Sequence, residues 1–240
     1  MTEIEFFEDS LGTTAYKSFE GASEYPVFYF PAFRNDFESH KGKAIENICE
    51  KNGLSLIHFN YFGWGFSESQ EVPIKSEGHV WEWLSQAVNL LDKRTKGPQV
   101  IVGYSMGGYL ALALAILRPE RIKAVVGIAP GFGKYLTDNI LKIYGSLSLC
   151  TTDRQKAFDF TSKNDGSLPI SGQLDINCPV RFGHSLGDKV VSPRNPLFVS
   201  TAIKSKDVTI FLSKDGSHRF DNPEEMEWLE CQLKTFAQVN

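Results

Sequence analysis

Four cysteines in 240 residues, Cys49, Cys150, Cys178 and Cys231, lie far apart and form no Cys-x-x-Cys. That spacing argues against a metal site or redox motif and for a reduced environment inside the cell. No basic run is present, and 25 Lys and Arg stand against 29 Asp and Glu, a net charge of −4. Nucleic acid and anionic membrane surfaces are therefore not expected partners. The longest apolar run, Met106 to Leu117, is too short to span a bilayer, so no integral membrane segment is expected. The first nine residues, Met-Thr-Glu-Ile-Glu-Phe-Phe-Glu-Asp, are acidic and lack signal-peptide or transit-peptide character. They point to the cytoplasm, or to the mitochondrial matrix if a transit peptide has been removed. Internal repeats and low-complexity segments are absent as well.

What remains is a well-mixed globular composition, 42% hydrophobic and 22% charged, rich in aromatics with 18 Phe, 8 Tyr and 4 Trp. The length suits one substantial α/β domain over 1–240. Glu3 to Phe7 and Thr13 to Phe19 read as two early strands joined at Leu11-Gly12. Val27 to Phe30, stopped by Pro31, and Leu54 to Phe59 read as strands buried on both faces. Between them a helix is expected from His40 to Lys51, closed by Asn52-Gly53. Val80 to Lys93 is amphipathic helix. Ile122 to Ile128, Val180 to His184 and Val208 to Leu212 are further strands, and Asn222-Pro223 opens a final helix with Glu224 and Glu225 in its first turn. Strands alternating with helices imply a mostly parallel central sheet flanked by helices on both sides. At about 131–175 the alternation breaks. Leu136, Ile140, Ile143, Tyr144 and Leu147 there recur at helical spacing, followed by a polar half. This reads as a short lid insertion over the carboxyl ends of the strands, where open α/β sheets place ligands, or as a longer connection packed on the core.

The chemistry is concentrated in Gln99-Val-Ile-Val-Gly-Tyr-Ser-Met-Gly-Gly. A β-branched strand runs straight into Gly103-Tyr104-Ser105-Met106-Gly107, and a helix-forming run follows at once. A strand ending at a serine with a helix starting just after it is a nucleophile elbow, a turn that lifts the hydroxyl clear of the sheet. Glycines two before and two after let neighbouring backbone approach.

A serine nucleophile needs a base, and the base needs an acid to fix its tautomer. In this arrangement the chain order is Ser, then acid, then His. Only His184 and His218 follow Ser105. His218 sits in a loop after the last strand, placed to lean over the elbow, whereas His184 ends a strand. His40, His58 and His79 precede the serine and read as core or cap residues. Asp188, just past the Val180 strand, is the best acid, with Asp215 and Asp207 as fallbacks. Two oxyanion donors are expected, the Met106 N–H after the nucleophile and the Phe33 N–H in the loop after the Val27 strand. No phosphate loop, zinc spacing or carboxylate pair competes, and no cofactor or metal is called for.

On these residues the chain resembles the α/β-hydrolase superfamily over essentially its whole length. Within it, three segments are similar to a mitochondrial group of palmitoyl-protein thioesterases and acyl-glucuronide esterases: Phe30-Pro31-Ala32-Phe33 with Gly42 to Glu46, Asn60 to Ser67, and Asn177 to Arg181 with Asp188 and Ser217-His218-Arg219. The resemblance implies an α/β-hydrolase fold with Ser105 as nucleophile, Asp188 as acid and His218 as base, and a modest lid over an acyl groove. Leu136 and Ile140 would then touch the acyl chain. Ala32 stands where Gly is usual, Asn60 where Asp is usual, and Ser185 where Gly follows the strand-end histidine. The expected activity is hydrolysis of carboxylic esters or thioesters through an acyl-enzyme. The preferred substrates are fatty-acyl thioesters, on small molecules or acylated protein. A general carboxylesterase, a carbon–carbon bond hydrolase, an aminopeptidase and a low-turnover small-molecule receptor are the alternatives.

Overall fold

A computed structural model describes residues 3–69, 71–74, 79–131 and 174–238. Their elements, numbered in chain order, are β1 Glu5–Asp9, β2 Gly12–Phe19, β3 Val27–Phe30, α1 His40–Lys51, β4 Leu56–Phe59 and α2 Val80–Arg94, followed by β5 Gln99–Tyr104, α3 Met106–Leu117, β6 Ile122–Ile128, β7 Val180–Ser185, α4 Arg194–Ser200, β8 Val208–Ser213 and α5 Pro223–Ala237. The strands form one sheet in the order β1-β2-β4-β3-β5-β6-β7-β8. β1 and β2 pair antiparallel, β2 meets β4 antiparallel, and every pairing from β4 to β8 is parallel.

Every residue of β3, β4 and β5 is buried, as continuous apolar runs covered on both faces require. α1 and α5 pack on one face, contributing Ile45, Ile48, Leu229 and Leu233 to its core. α2 and α3 cover the other with Trp83, Leu84, Leu90, Tyr109 and Leu110. The chain thus leaves β3 towards one face and β5 towards the opposite one. Adjacent parallel strands whose connections diverge open a crevice at their carboxyl ends. The Pro31 loop and Ser105 both lie there.

Local chemistry sets the helix limits. Ser39 caps α1 by accepting Gly42 N–H, and Asn222 forms a reciprocal capping box with Glu225 at α5. Some expected boundaries move. β1 runs from Glu5 to Asp9 rather than Glu3 to Phe7, because Asp9 Oδ1 accepts the Leu11 and Gly12 N–H groups and closes the hairpin there. Leu54 and Ser55 stay outside β4: Leu54 N–H finishes α1 by donating to Cys49 O, and Ser55 N–H donates to Ser23 Oγ. The short α4 gave no periodic signal in seven residues. Leu136 and Ile140, and the lid expected around them, lie outside the described residues. No helix among the described residues is long and apolar enough to cross a membrane.

Candidate active site

The elbow is built by close approach. Ser105 has φ 54° and ψ −117°, a conformation that costs a non-glycine residue of order 1–3 kcal/mol. Three backbone bonds hold it: Ser105 N–H to Ile128 O at 2.9 Å, and Gly108 and Gly131 N–H to Ser105 O at 3.0 Å each. A Cβ on Gly103 would stand 2.3 Å from Gly107 O, and one on Gly107 would stand 2.2 Å from Phe30 O. Two strand ends and the first turn of α3 therefore meet at glycine backbone.

Ser105 Oγ lies 3.0 Å from His218 Nε2, and His218 Nδ1 lies 2.8 Å from Asp188 Oδ2. A carboxylate only accepts, so Nδ1 carries the proton and Nε2 is left bare to accept from the serine hydroxyl. Asp188 is held on every side. Its Oδ1 accepts the Val190 and Val191 N–H groups at 2.8 and 2.9 Å, and His184 Nε2 approaches Oδ2 at 3.1 Å. Burial pushes this carboxyl up, but the Val191 N–H, the His218 ring and the Val190 N–H outweigh it and hold the group below its ordinary value. It is a charged acceptor at neutral pH.

The structure brings Ser105, Asp188 and His218 together, and it leaves the fallback acids elsewhere. Asp215 is exposed and three residues from His218. Asp207 pairs with Arg181 at 2.7 Å at the amino end of β8, about 20 Å along the strand from the loop that carries His218. His184 is fully buried, and burial lowers its pKa. His58 is a buried core residue bonded to Glu46 at 2.7 Å, and His79 precedes α2. His40 differs from the core or cap expectation. Its ring is mostly exposed at the start of α1, on the rim of the cleft.

That cleft, about 450 Å³, is lined by Ala32, Phe33, Lys41, Ser105, His218 and Arg219 among others, and no Asp or Glu is among its described lining residues. The Phe33 ring packs edge-on against Trp64 with centroids 5.6 Å apart. Tyr61 OH donates to Pro31 O at 2.9 Å and fixes the loop from which the Phe33 N–H projects. Met106 N–H, at the first position of α3, is one of the donors a helix start leaves free.

Several contributors were invisible in the sequence because their partners are far away along it. Tyr104 stacks on His218 with centroids 5.5 Å apart and donates to His218 O at 3.1 Å. Lys41 Nζ donates to Phe220 O at 2.5 Å across 179 residues. Ser185, in the place where Gly is usual, shares its hydroxyl between Ser217 O at 2.9 Å and the buried Glu225 carboxylate, which Ser213 also contacts. Ser185 thus ties β7 to the loop that carries His218, and Glu225 joins it to Ser213 on β8. Among the described residues no group of three or more His, Cys, Asp or Glu is arranged to hold a metal ion.

A family model described as the alpha/beta hydrolase fold matches residues 26–147. Palmitoyl-protein thioesterase ABHD10, mitochondrial, from Rattus norvegicus is 28% identical, with 93% of this chain and 78% of that protein covered. The Homo sapiens protein of the same name is 26% identical, over 91% of this chain and 74% of that one. Among solved structures, alpha/beta hydrolase domain-containing protein 10 from mouse superposes with a TM-score of 0.75 at 26% identity, covering 97% of each chain.

Proposed function

The chain belongs to the α/β hydrolase fold family, a hydrolase of esters and thioesters, and we propose that Ser105, His218 and Asp188 carry that reaction on fatty-acyl thioesters. The observation that carries the reading is the continuous Ser105 Oγ, His218, Asp188 hydrogen-bond chain at 3.0 and 2.8 Å. Ser105 Oγ attacks the acyl carbonyl while its proton passes to His218 Nε2. Asp188 balances the imidazolium. The Met106 and Phe33 N–H groups stabilise the oxyanion, and collapse expels the thiolate, or the alkoxide, with the proton returned from Nε2. Water, deprotonated by the same imidazole, then attacks the acyl-serine and releases the acid. Nothing in these steps needs a cofactor.

The preference for a palmitoyl thioester rests on the names of the rat and human relatives, with Leu136 and Ile140 as the proposed acyl contacts. Within the family, an aminopeptidase is disfavoured because that chemistry needs carboxylates for the substrate amine, and the described lining holds none. A reducing compartment, cytoplasm or mitochondrial matrix, suits the free thiols of Cys49, Cys178 and Cys231.

One experiment tests both levels. Native protein and Ser105→Ala are treated with a fluorophosphonate and assayed on palmitoyl thioester and matched oxygen ester, each rate divided by its hydroxide-catalysed rate. Labelling at Ser105 with a corrected sulfur-to-oxygen ratio of kcat/KM above one is expected. Labelling with a ratio below one rejects the thioester preference, and turnover surviving in Ser105→Ala rejects the nucleophile.

A further inference from the structure

We propose that Lys41, at the start of α1, is a positioning residue for the base: by holding Phe220 O its buried ammonium fixes the loop that carries His218 against Ser105. The inference rests on the triad reading above and adds a group to it that the mechanism does not otherwise use.

Lys41 is only 3% exposed, unusual for a lysine outside an ion pair. No carboxylate lies within 4.0 Å of its Nζ among the described residues. Its contacts are Phe220 O at 2.5 Å, Met226 Sδ at 3.7 Å, and the Tyr104 and Phe220 rings, whose centroids are 5.7 and 5.9 Å away. All of these belong to the support of one segment. Phe220 is two residues past His218, fully buried, and at φ 48°, a left-handed conformation that a bulky residue adopts only when its surroundings hold it there. Tyr104 grips the same segment from β5, stacking on the His218 ring and donating to His218 O. Lys41 and Tyr104 thus hold two carbonyls of this segment, those of Phe220 and His218, two residues apart.

The charge is kept where burial opposes it. Desolvation lowers the Lys41 pKa to about 8, with Asp221 in the loop and Glu225 on α5 pulling it back up and Arg219 pushing it down. Tyr104 on β5, His40 on α1 and His218 itself are the other titratable groups at this corner. A lysine serving only to fill space here would be better replaced by its apolar isostere. A charge-assisted bond to Phe220 O is the interaction that such an isostere lacks.

The test compares wild type with Lys41→Met on a neutral p-nitrophenyl ester, with active molecules counted by fluorophosphonate titration so that only folded protein enters kcat. At about pH 7 the variant should lose about tenfold or more in kcat, the value of one hydrogen bond to a charged group, with KM within about twofold. The wild-type to variant ratio should shrink as pH rises from about 7 to about 9, since the wild type then loses the charge that the variant never had. If Lys41→Met does not accumulate, Lys41→Gln, which also lacks the charge, is read the same way. A ratio constant with pH, or an unchanged kcat with only a lower melting temperature, overturns the inference. Ser105→Ala in the same series keeps the two readings apart: turnover surviving there sinks the triad, whereas a dead Ser105→Ala with a flat ratio sinks Lys41 alone.

Discussion

Ser105 and His218 stand 3.0 Å apart, yet they are held by different means. On the nucleophile side the supports are steric. Gly103 and Gly107 bring backbone into contact with backbone, and Ser105 is pinned in a strained conformation by three main-chain bonds. On the base side the supports are polar side chains from distant elements. Asp188, His184, Tyr104, Lys41, Ser185 and Glu225 reach the two loops from β5, β7, α1 and α5. A steric support has no intermediate setting and no titration. A buried polar network weakens bond by bond and responds to pH. The two halves of one site should therefore fail differently.

The sharpest break is expected on the steric side. Gly107→Ala places a Cβ 2.2 Å from Phe30 O and 2.6 Å from Pro31 O, and neither main-chain atom can move without shifting β3 or the Pro31 loop. The expected cost is about 3–5 kcal/mol, in the range reserved for strain and overpacking at special sites. Urea unfolding should show this loss equally at acid and neutral pH. Retention of near-wild-type stability and labelling would mean that the elbow has slack the glycine contacts do not suggest.

On the polar side, removing the acid should spare the fold and spoil the chemistry. Asp188→Asn presents an amide where Val190, Val191, His184 and His218 all offer donors, so His218 is driven to the wrong tautomer. By comparison with other triads kcat should fall about 10⁴-fold, while the exposed Asp215→Asn should change it little. Steady-state kinetics on one ester decide between them, and a reversed order would move the acid to the other loop.

The same division explains what could be read from the chain. The elbow is legible because strand, turn and helix are consecutive, from Gln99 to Leu117, and the glycines announce the close approach. The triad order follows from it, and the parallel sheet follows from continuous apolar runs such as Val27–Phe30. Nothing in the expected helix from His40 to Lys51 sets Lys41 apart, because its partner is 179 positions away. Ser185 departs from the family pattern, and the carboxylate it bonds, Glu225, lies 40 positions away. Short segments also escaped, as α4 did, since seven residues carry too little periodicity to stand out.

The smallest effect expected separates the two halves by pH alone. His184 is fully buried, and burial lowers its pKa below the ordinary histidine value, against the pull of Val191 O and Asp188. Below about pH 6.5 the unfolded chain takes up a proton at this residue that the folded chain refuses. Folding stability therefore declines as pH falls from there towards the folded-state pKa, by up to about 1.4 kcal/mol per pH unit. Above about pH 6.5 the residue contributes no pH dependence. His58, also fully buried and shifted the same way by burial, adds a slope of the same sign in the same window. His184→Gln keeps an N–H able to reach Asp188 Oδ2 but does not titrate. Denaturant unfolding between about pH 5 and about pH 7.5 should show the slope reduced by roughly half, with activity near neutrality within a few-fold of wild type. His58→Gln, remote from the triad, should reduce the slope alike and leave activity untouched. Gly107→Ala should lower the whole curve without changing its slope. An unchanged slope in His184→Gln would mean that His184 is already charged in the folded protein, and the second imidazole on Asp188 would then act as a cation rather than as a neutral donor.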